Sequence, residues 1–410
     1  MAGADLEGLR AAIEAALPEY LRDLERLVDV DCGSYTKGGV DEVGAWTAHR
    51  LEELGAAVVR HANVDLGDTI VGTIERDAAG TSVLLIGHLD TVFEPGTVAE
   101  RPFTVRDGRA YGPGVSDMKA GLLTGLHALA ALRAVATAPS SEPAALSAAS
   151  WLPVGRLVFI VNPDEEIGSP ASTAVILEQA ARADAALVLE AGRENGDIVS
   201  SRKGQLALRL HIQGRAAHAG VEPEKGRSAV LEAAYKIVAL HGLNGRFPGV
   251  TVNAGVAHGG TRPNIVAGSA SIEIDVRAVD RAHLESVEAA VMAIARASTV
   301  AEVSSTVEVL SRHWPMERTG ASRRLVKHAV EVAAELGFEL ADAATGGASD
   351  GNTTAGLGVP TIDGLGPIGG LDHAPGEYIE LDSIVPRTTL LAGLLRAIGR
   401  DPLIGGKGRP

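Results

Sequence analysis

The sequence predicts an α/β protein, a mainly parallel sheet with helices on both faces, interrupted by a smaller inserted α+β domain. Three observations predict it. Short β-rich runs at 69–74, 83–87, 157–161 and 185–189 are nearly continuous in apolar residues, as in strands buried on both faces. Helical stretches at 118–134 and 171–182 separate the later runs, which is the rhythm of a parallel sheet. After about residue 205 the pattern changes to alternation, strictest in Ser271-Ile272-Glu273-Ile274-Asp275-Val276, and alternation marks strands with one solvated face.

Taken in order, residues 6–29 place Leu6, Leu9, Ile13, Leu21, Leu24 and Leu27 at helical spacing, with Pro18 as a kink or break. Residues 41–57 form a second amphipathic helix, and the β-rich runs follow. The Ala-, Ser- and Pro-rich stretch 135–153 reads as an irregular surface insertion without chemistry. Strands at 206–212, 250–257, 271–276 and 304–310, with helices at 226–242 and 282–297, make up the inserted α+β sandwich. From about 320 the helix-strand style returns. The expected division is therefore 1–205 plus 318–410 for one discontinuous domain, and 206–317 for the insertion.

A chain of 410 residues is too long for one ordinary core. With 3% aromatic residues, the core has to be built from Ala, Val, Leu and Ile. The net charge of −15 argues against nucleic acid or an anionic membrane as partner. One cysteine, Cys32, rules out an intrachain disulfide and permits a reducing compartment. The first residues have neither a basic nor an apolar leader segment, and the apolar stretch 121–136, broken by His127 and Arg133, reads as too short and mixed to span a bilayer. The expectation is a soluble, cytoplasmic enzyme.

Five potential metal ligands lie in short Gly- or acid-rich phrases, most of them at a strand end, where α/β folds place chemistry. His88 follows the strand 83–87, with Asp90 placed to orient its ring. Asp117 follows Gly112-Pro113-Gly114 and opens a helix, so it reads as an N-cap, a ligand, or both. In Asp164-Glu165-Glu166, three carboxylates at a strand end form either a solvated acidic turn or a cation site. Glu190 closes the strand 185–189, and His373 sits in the loop Gly369-Gly370-Leu371-Asp372-His373. Each signal alone has a bland alternative. Together, two imidazoles and three carboxylates are the donor set of a two-zinc hydrolytic site, which also accepts cobalt or manganese.

The phrases His88-Leu89-Asp90-Thr91-Val92, Ala110 to Gly121, Asp164-Glu165-Glu166-Ile167-Gly168-Ser169 and Ala217-His218-Ala219-Gly220 resemble the co-catalytic zinc family of glutamate carboxypeptidases, aminoacylases and succinyl-diaminopimelate desuccinylases. The resemblance covers nearly the whole chain and implies a zinc-exopeptidase-like fold, the insertion serving as a lid or dimerisation domain. It implies that Asp117 bridges two zinc ions, that His88 and Glu190 complete one and Glu166 and His373 the other, and that Glu165 is the general base. It further implies a cis peptide after Asp117, substrate binding by Arg277 and Asn264, a homodimer in which His218 reaches the partner's site, and a small peptide or N-acyl-amino-acid substrate. The glutamate carboxypeptidase branch is the nearest, with deacylase and dipeptidase as rivals and a non-catalytic binding protein as the remote alternative. Met118 and Arg202-Lys203-Gly204 depart from that branch and bear on glutamate specificity. The cysteine-containing metal site of related amidohydrolases is absent, because position 117 is Asp.

Overall fold

In the sequence Ser-Val-Leu-Leu-Ile-Gly-His, every residue from 82 to 88 is buried, and this strand lies inside the central sheet of the protein. The computed structural model describes residues 2–77, 79–137 and 149–404. It divides into two units: Met1–Ser200 with Arg318–Ala344 and Ser349–Pro410, and Ser201–Glu317 with Thr345–Ala348.

The first unit carries a six-stranded sheet in the order Ala57–His61, Thr69–Glu75, Arg156–Asn162, Ser82–His88, Ala185–Val188, Thr361–Ile362. The last four strands pair in parallel, and the first two join antiparallel at one edge. An antiparallel edge on an otherwise parallel sheet is common in such folds. Successive side chains of a strand point to opposite faces. Here Val83 and Leu85 join one apolar cluster while Leu84 and Ile86 join another, so both faces are dry. Helices Ala2–Val28, Lys37–Glu53, Ala120–Thr137 and Ile384–Arg400 supply the first cluster; Thr173–Ala180 supplies the second.

Several expectations need correction. The first helix runs through Pro18 without a break. Residues 57–61 form an edge strand, not the end of the second helix, because Gly55 turns the chain at φ 88°. The stretch 135–153 is only partly an irregular surface segment: residues up to Thr137 are helical, and Trp151 and Leu152 are buried in the core. Residues 138–148 lie outside the described residues. By length and composition Val115–Thr137 is apolar enough to cross a membrane, contrary to expectation, but 67% of its most apolar 18-residue window is buried inside the protein. It is packed as a core helix.

The second unit is a four-stranded antiparallel sheet in the order Thr251–Gly259, Ser269–Ala278, Gly204–Gln213, Ser304–His313. Leu206, Leu208, Leu210 and Ile212 pack inward with Ile272, Ile274 and Val276. Helices Ala229–His241 and Arg281–Arg296 cover that side, and Ser228 and Asp280 cap their first turns. The boundary falls at Ser200, earlier than the expected 205, because Arg202 and Lys203 already pair with Met316 and Thr345.

Candidate metal centre

The parallel strands deliver three site segments at their C-terminal ends. His88 is the last residue of its strand, Asp164-Glu165-Glu166 follows Arg156–Asn162, and Glu190 follows Ala185–Val188. A fourth segment, the turn Val115–Lys119 before the long core helix, brings Asp117. It comes close only because Gly114 is glycine: φ is 72°, and a Cβ there would lie 2.4 Å from Thr91 Cγ2. The helix start is equally tight, since a Cβ on Gly121 would meet the Leu189 carbonyl at 1.8 Å. The peptide bond Asp117–Met118 is cis, as the resemblance implies.

The two oxygens of Asp117 face two different imidazoles. Oδ1 lies 2.9 Å from His88 Nε2, and Oδ2 lies 3.1 Å from His373 Nε2. Glu190 Oε1 is 3.7 Å from His88 Nε2, and Glu166 Oε2 is 3.0 Å from His373 Nε2. All five expected ligands therefore meet in one place, with Glu165 beside them. Asp117 is no longer open to the N-cap reading, since both its oxygens serve the histidines.

Electrostatics in this cluster are severe. Burial pushes Glu165 well above the ordinary carboxylate range, reinforced by Asp350, Asp117 and Glu166 and opposed by His88. Burial and the Asp117 charge do the same to Glu190. Burial also acts on Asp117, but hydrogen bonds with His373 and His88 overcome it and hold that carboxyl well below its usual range. His373 is pushed up to about 11 by Asp117 and Glu166. Burial disfavours a charged His88, yet Asp117, Asp90 and Glu190 raise it well above an ordinary histidine.

A cation fits this donor set. Glu166 Oε1 is buried without a hydrogen-bond partner, an expensive arrangement for a carboxylate oxygen. Among the described residues, ligating atoms of His88, Asp117 and Glu166, and of His88, Glu165 and Glu190, lie within 4.8 Å of one another. Oxygen and imidazole donors at that spacing suit zinc.

Asp90 does more than its expected role. His88 Nδ1 is 2.9 Å from the Asp90 main-chain oxygen and 3.4 Å from its carboxylate. The carboxylate also accepts from Ser34 Oγ at 2.6 Å and from the backbone N–H groups of Glu165 and Glu166 at 3.1 and 3.2 Å. It thus orients the acidic turn as well as the ring. Nor is that turn solvated: Asp164 points away from its two neighbours and accepts from Ser172 Oγ and the Ala171 N–H.

Glu377 escaped the sequence reading. Its buried carboxylate accepts the backbone N–H groups of Gly114 (2.9 Å), Ser116 (2.7 Å) and Asp117 (3.0 Å), although burial pushes its pKa up to about 8. Glu377 therefore pins the loop that carries Asp117 to the loop that carries His373. Its one sequence signal is an acid four residues after an expected ligand. Asp350, also missed, is buried against Ser169 and Asn162 and has no counterpart in any motif.

The remaining expected residues belong to the second unit. His218 and Asn264 are exposed and adjacent: His218 pairs in register with Ile265, and the Ala219 N–H donates to the Asn264 carbonyl at 2.9 Å. Arg277 is engaged by Asp275, whose carboxylate oxygens lie 3.2 and 3.0 Å from its Nε, and is half-buried.

The comparisons with known proteins agree with this geometry. Residues 84–397 match the model of peptidase family M20/M25/M40. Carboxypeptidase G2 from Pseudomonas sp. (strain RS-16) is 30% identical over 93% of this chain and 90% of the relative. A succinyl-diaminopimelate desuccinylase from Acidovorax ebreus (strain TPSY) is 28% identical over 83% of this chain and 88% of its own length. The solved aminopeptidase PepT from Bacillus cereus ATCC 10987 has the same fold, with a TM-score of 0.74, 24% identity and coverage of 93% and 98%. The chain belongs to the M20/M25/M40 peptidases, a metal-dependent family, and is a hydrolase of that kind.

Proposed function

We propose that this enzyme hydrolyses the amide bond to a C-terminal amino acid bearing a free carboxylate, as a glutamate-carboxypeptidase-like exopeptidase with two zinc ions per subunit. The observation that carries the reading is Asp117, whose oxygens face His88 on one side and His373 on the other. His88 and Glu190 would hold one ion with Asp117; Glu166 and His373 would hold the other. Bound zinc supplies a Lewis acid and a water acidic enough to be deprotonated near neutral pH.

Glu165 takes that proton on its carboxylate and returns it to the leaving amine. Asp90 holds the turn under Glu165 through two backbone N–H groups. Arg277, whose planar guanidinium matches a carboxylate, exchanges its Asp275 contact for the substrate's terminus, and Asn264 serves as a second substrate-binding residue. His218, exposed in the second unit, serves the oxyanion in the partner subunit's site. A homodimer through the second unit is supported by Val230, Leu231, Tyr235 and Val238, exposed on one helix, and by the edge strand Thr251–Gly259.

The test is a mass-spectrometric hydrolysis screen of zinc-loaded enzyme, with and without chelator, over acylated glutamates, acetyl- and succinyl-amino acids, and dipeptides. Chelator-sensitive release of a C-terminal amino acid from aroyl or peptidyl substrates supports the reading. Cleavage confined to acetyl or succinyl groups moves the enzyme to the deacylase reading, which the desuccinylase relative also favours.

A further inference from the structure

A cavity of about 270 Å³ opens beside the metal centre within the first unit. Its walls are the loop Gly33-Ser34-Tyr35-Thr36, the segment Thr91 to Pro95, and Glu166 with Ile167. One wall thus belongs to an expected ligand, so whatever fills the cavity lies next to the scissile bond. Drug-sized ligands occupy clefts of about 300–1,000 Å³, so this cavity takes one ring or one short side chain.

The chemistry of the walls says which part of a substrate that is. Among the described residues lining the cavity there is no Lys, Arg or His; Glu94 is the acid there that the metal centre does not claim. The nearest cation along the chain, Lys37, is spent on Asp41, Asp68 and the Leu66 carbonyl. Arg101 is stacked over the Phe93 ring, 4.7 Å from its centroid. A terminal carboxylate entering here would meet the Glu94 charge and no cation among the lining residues, at a cost. Apolar surface is plentiful by contrast: Tyr35 stands 79% exposed, and Val92, Phe93, Pro95 and Ile167 join it in lining the cavity.

We infer that this cavity is the subsite for the acyl side of the amide bond, and that it selects an uncharged apolar or aromatic acyl group against an acidic one. The inference rests on the amide-hydrolase reading and refines it, because it separates an aroyl or peptidyl substrate from a succinyl one. Tyr35 supplies the ring face, and Glu94 supplies the charge that rejects a second carboxylate.

The experiment compares benzoyl, acetyl and succinyl groups, each on glutamate and on alanine. kcat/KM is measured for wild type, Tyr35→Ala and Glu94→Gln, and binding is measured by calorimetry on the zinc-loaded Glu165→Ala protein. The expected order is benzoyl, then acetyl, then succinyl. Tyr35→Ala should lower the benzoyl-to-acetyl ratio about tenfold, the size of a lost apolar contact in a pocket. Glu94→Gln should raise the succinyl-to-acetyl ratio about fivefold, with zinc content at the wild-type level. Ratios that do not move in either variant overturn the subsite. If none of these amides is turned over, the carboxypeptidase reading fails, and the calorimetric preference for benzoyl over succinyl, lost when Tyr35→Ala is added to Glu165→Ala, still decides the subsite.

Discussion

The two halves of the candidate metal centre are built from different materials. His88 is the last residue of a central strand, and its side chain is 1% exposed. His373 comes from an irregular loop, its side chain is 55% exposed, and both it and Leu371 take left-handed backbone with φ 63° and 58°. Such a conformation costs a non-glycine residue on the order of 1 kcal/mol or more, and it persists only where the surroundings fix it. Here Glu377 does part of the fixing. The comparison teaches that one half is preformed by the sheet, while the other is closed over it by a loop, held where Gly369 and Gly370 pair with Ile379 and Tyr378 and by the buried Glu377.

The largest expected effects fall on the residues the halves share. Asp117→Ala should empty both, so metal content by plasma mass spectrometry should drop to background. Glu165→Ala should lower kcat by about 10²–10⁴-fold with the metal retained. Loss of metal in that variant would make Glu165 a ligand, as its proximity to His88 and Glu190 allows, and would move the base elsewhere.

The next prediction strikes the halves separately. His88→Ala removes a buried ring and strands Asp117 and Glu190, so metal-free protein should lose about 2–4 kcal/mol in denaturant unfolding. His373→Ala removes a half-exposed ring but also strands Asp117 and Glu166, so it should destabilise the metal-free protein too, by less than His88→Ala. Each should weaken metal binding. Equal destabilisation by both substitutions would erase the distinction drawn above.

The same division explains what was legible in the sequence. His88, Glu166 and Glu190 were readable because each closes an apolar strand, and strand ends follow from pattern. The four alternating strands of the second unit were equally plain. His373 had no periodic context; only its Gly-rich phrase marked it as a candidate, and the family resemblance supplied its place in the ligand set. Glu377 was missed because its task is to receive three backbone N–H groups from a loop 260 positions away, and no local pattern encodes such a partner. The Asp90 carboxylate was assigned to the ring alone for a related reason: the acidic turn it holds is distant in sequence and close only in the fold.

Glu377→Gln sharpens the anchor argument. Glutamine offers one acceptor oxygen where the carboxylate uses both, so the Gly114 N–H, or the Ser116 and Asp117 pair, would face an amide NH₂. Metal affinity should fall about 10–100-fold, as for other groups that orient ligands without touching the ion. Competition with a fluorescent chelator measures it, and Glu377→Asp should recover part of the loss if the acceptor charge is what matters. Unchanged affinity in Glu377→Gln would leave the His373 loop fixed by something else.

The smallest effect is expected far from the centre in sequence, at Asp401, and it serves as the control. This carboxylate closes the last helix, accepts from Arg324 Nη2 at 2.9 Å, and lies 2.7 Å from His328 Nε2. The hydrogen bonds with Arg324 outweigh its partial burial, those with His328 and the Leu403 N–H add to them, and its pKa sits well below the ordinary carboxylate range. A depressed folded-state pKa contributes stability that is present above the unfolded value, near 3.9, and lost as pH falls through the folded value. Asp401→Asn should therefore lower Tm by roughly 1–3 °C at neutral pH and by progressively less below about pH 4. Metal content should stay at the wild-type level throughout. A variant that also lost metal would mean that the helix end and the centre unfold as one unit, and the contrast between a sheet-built half and a loop-built half would then describe geometry without describing stability.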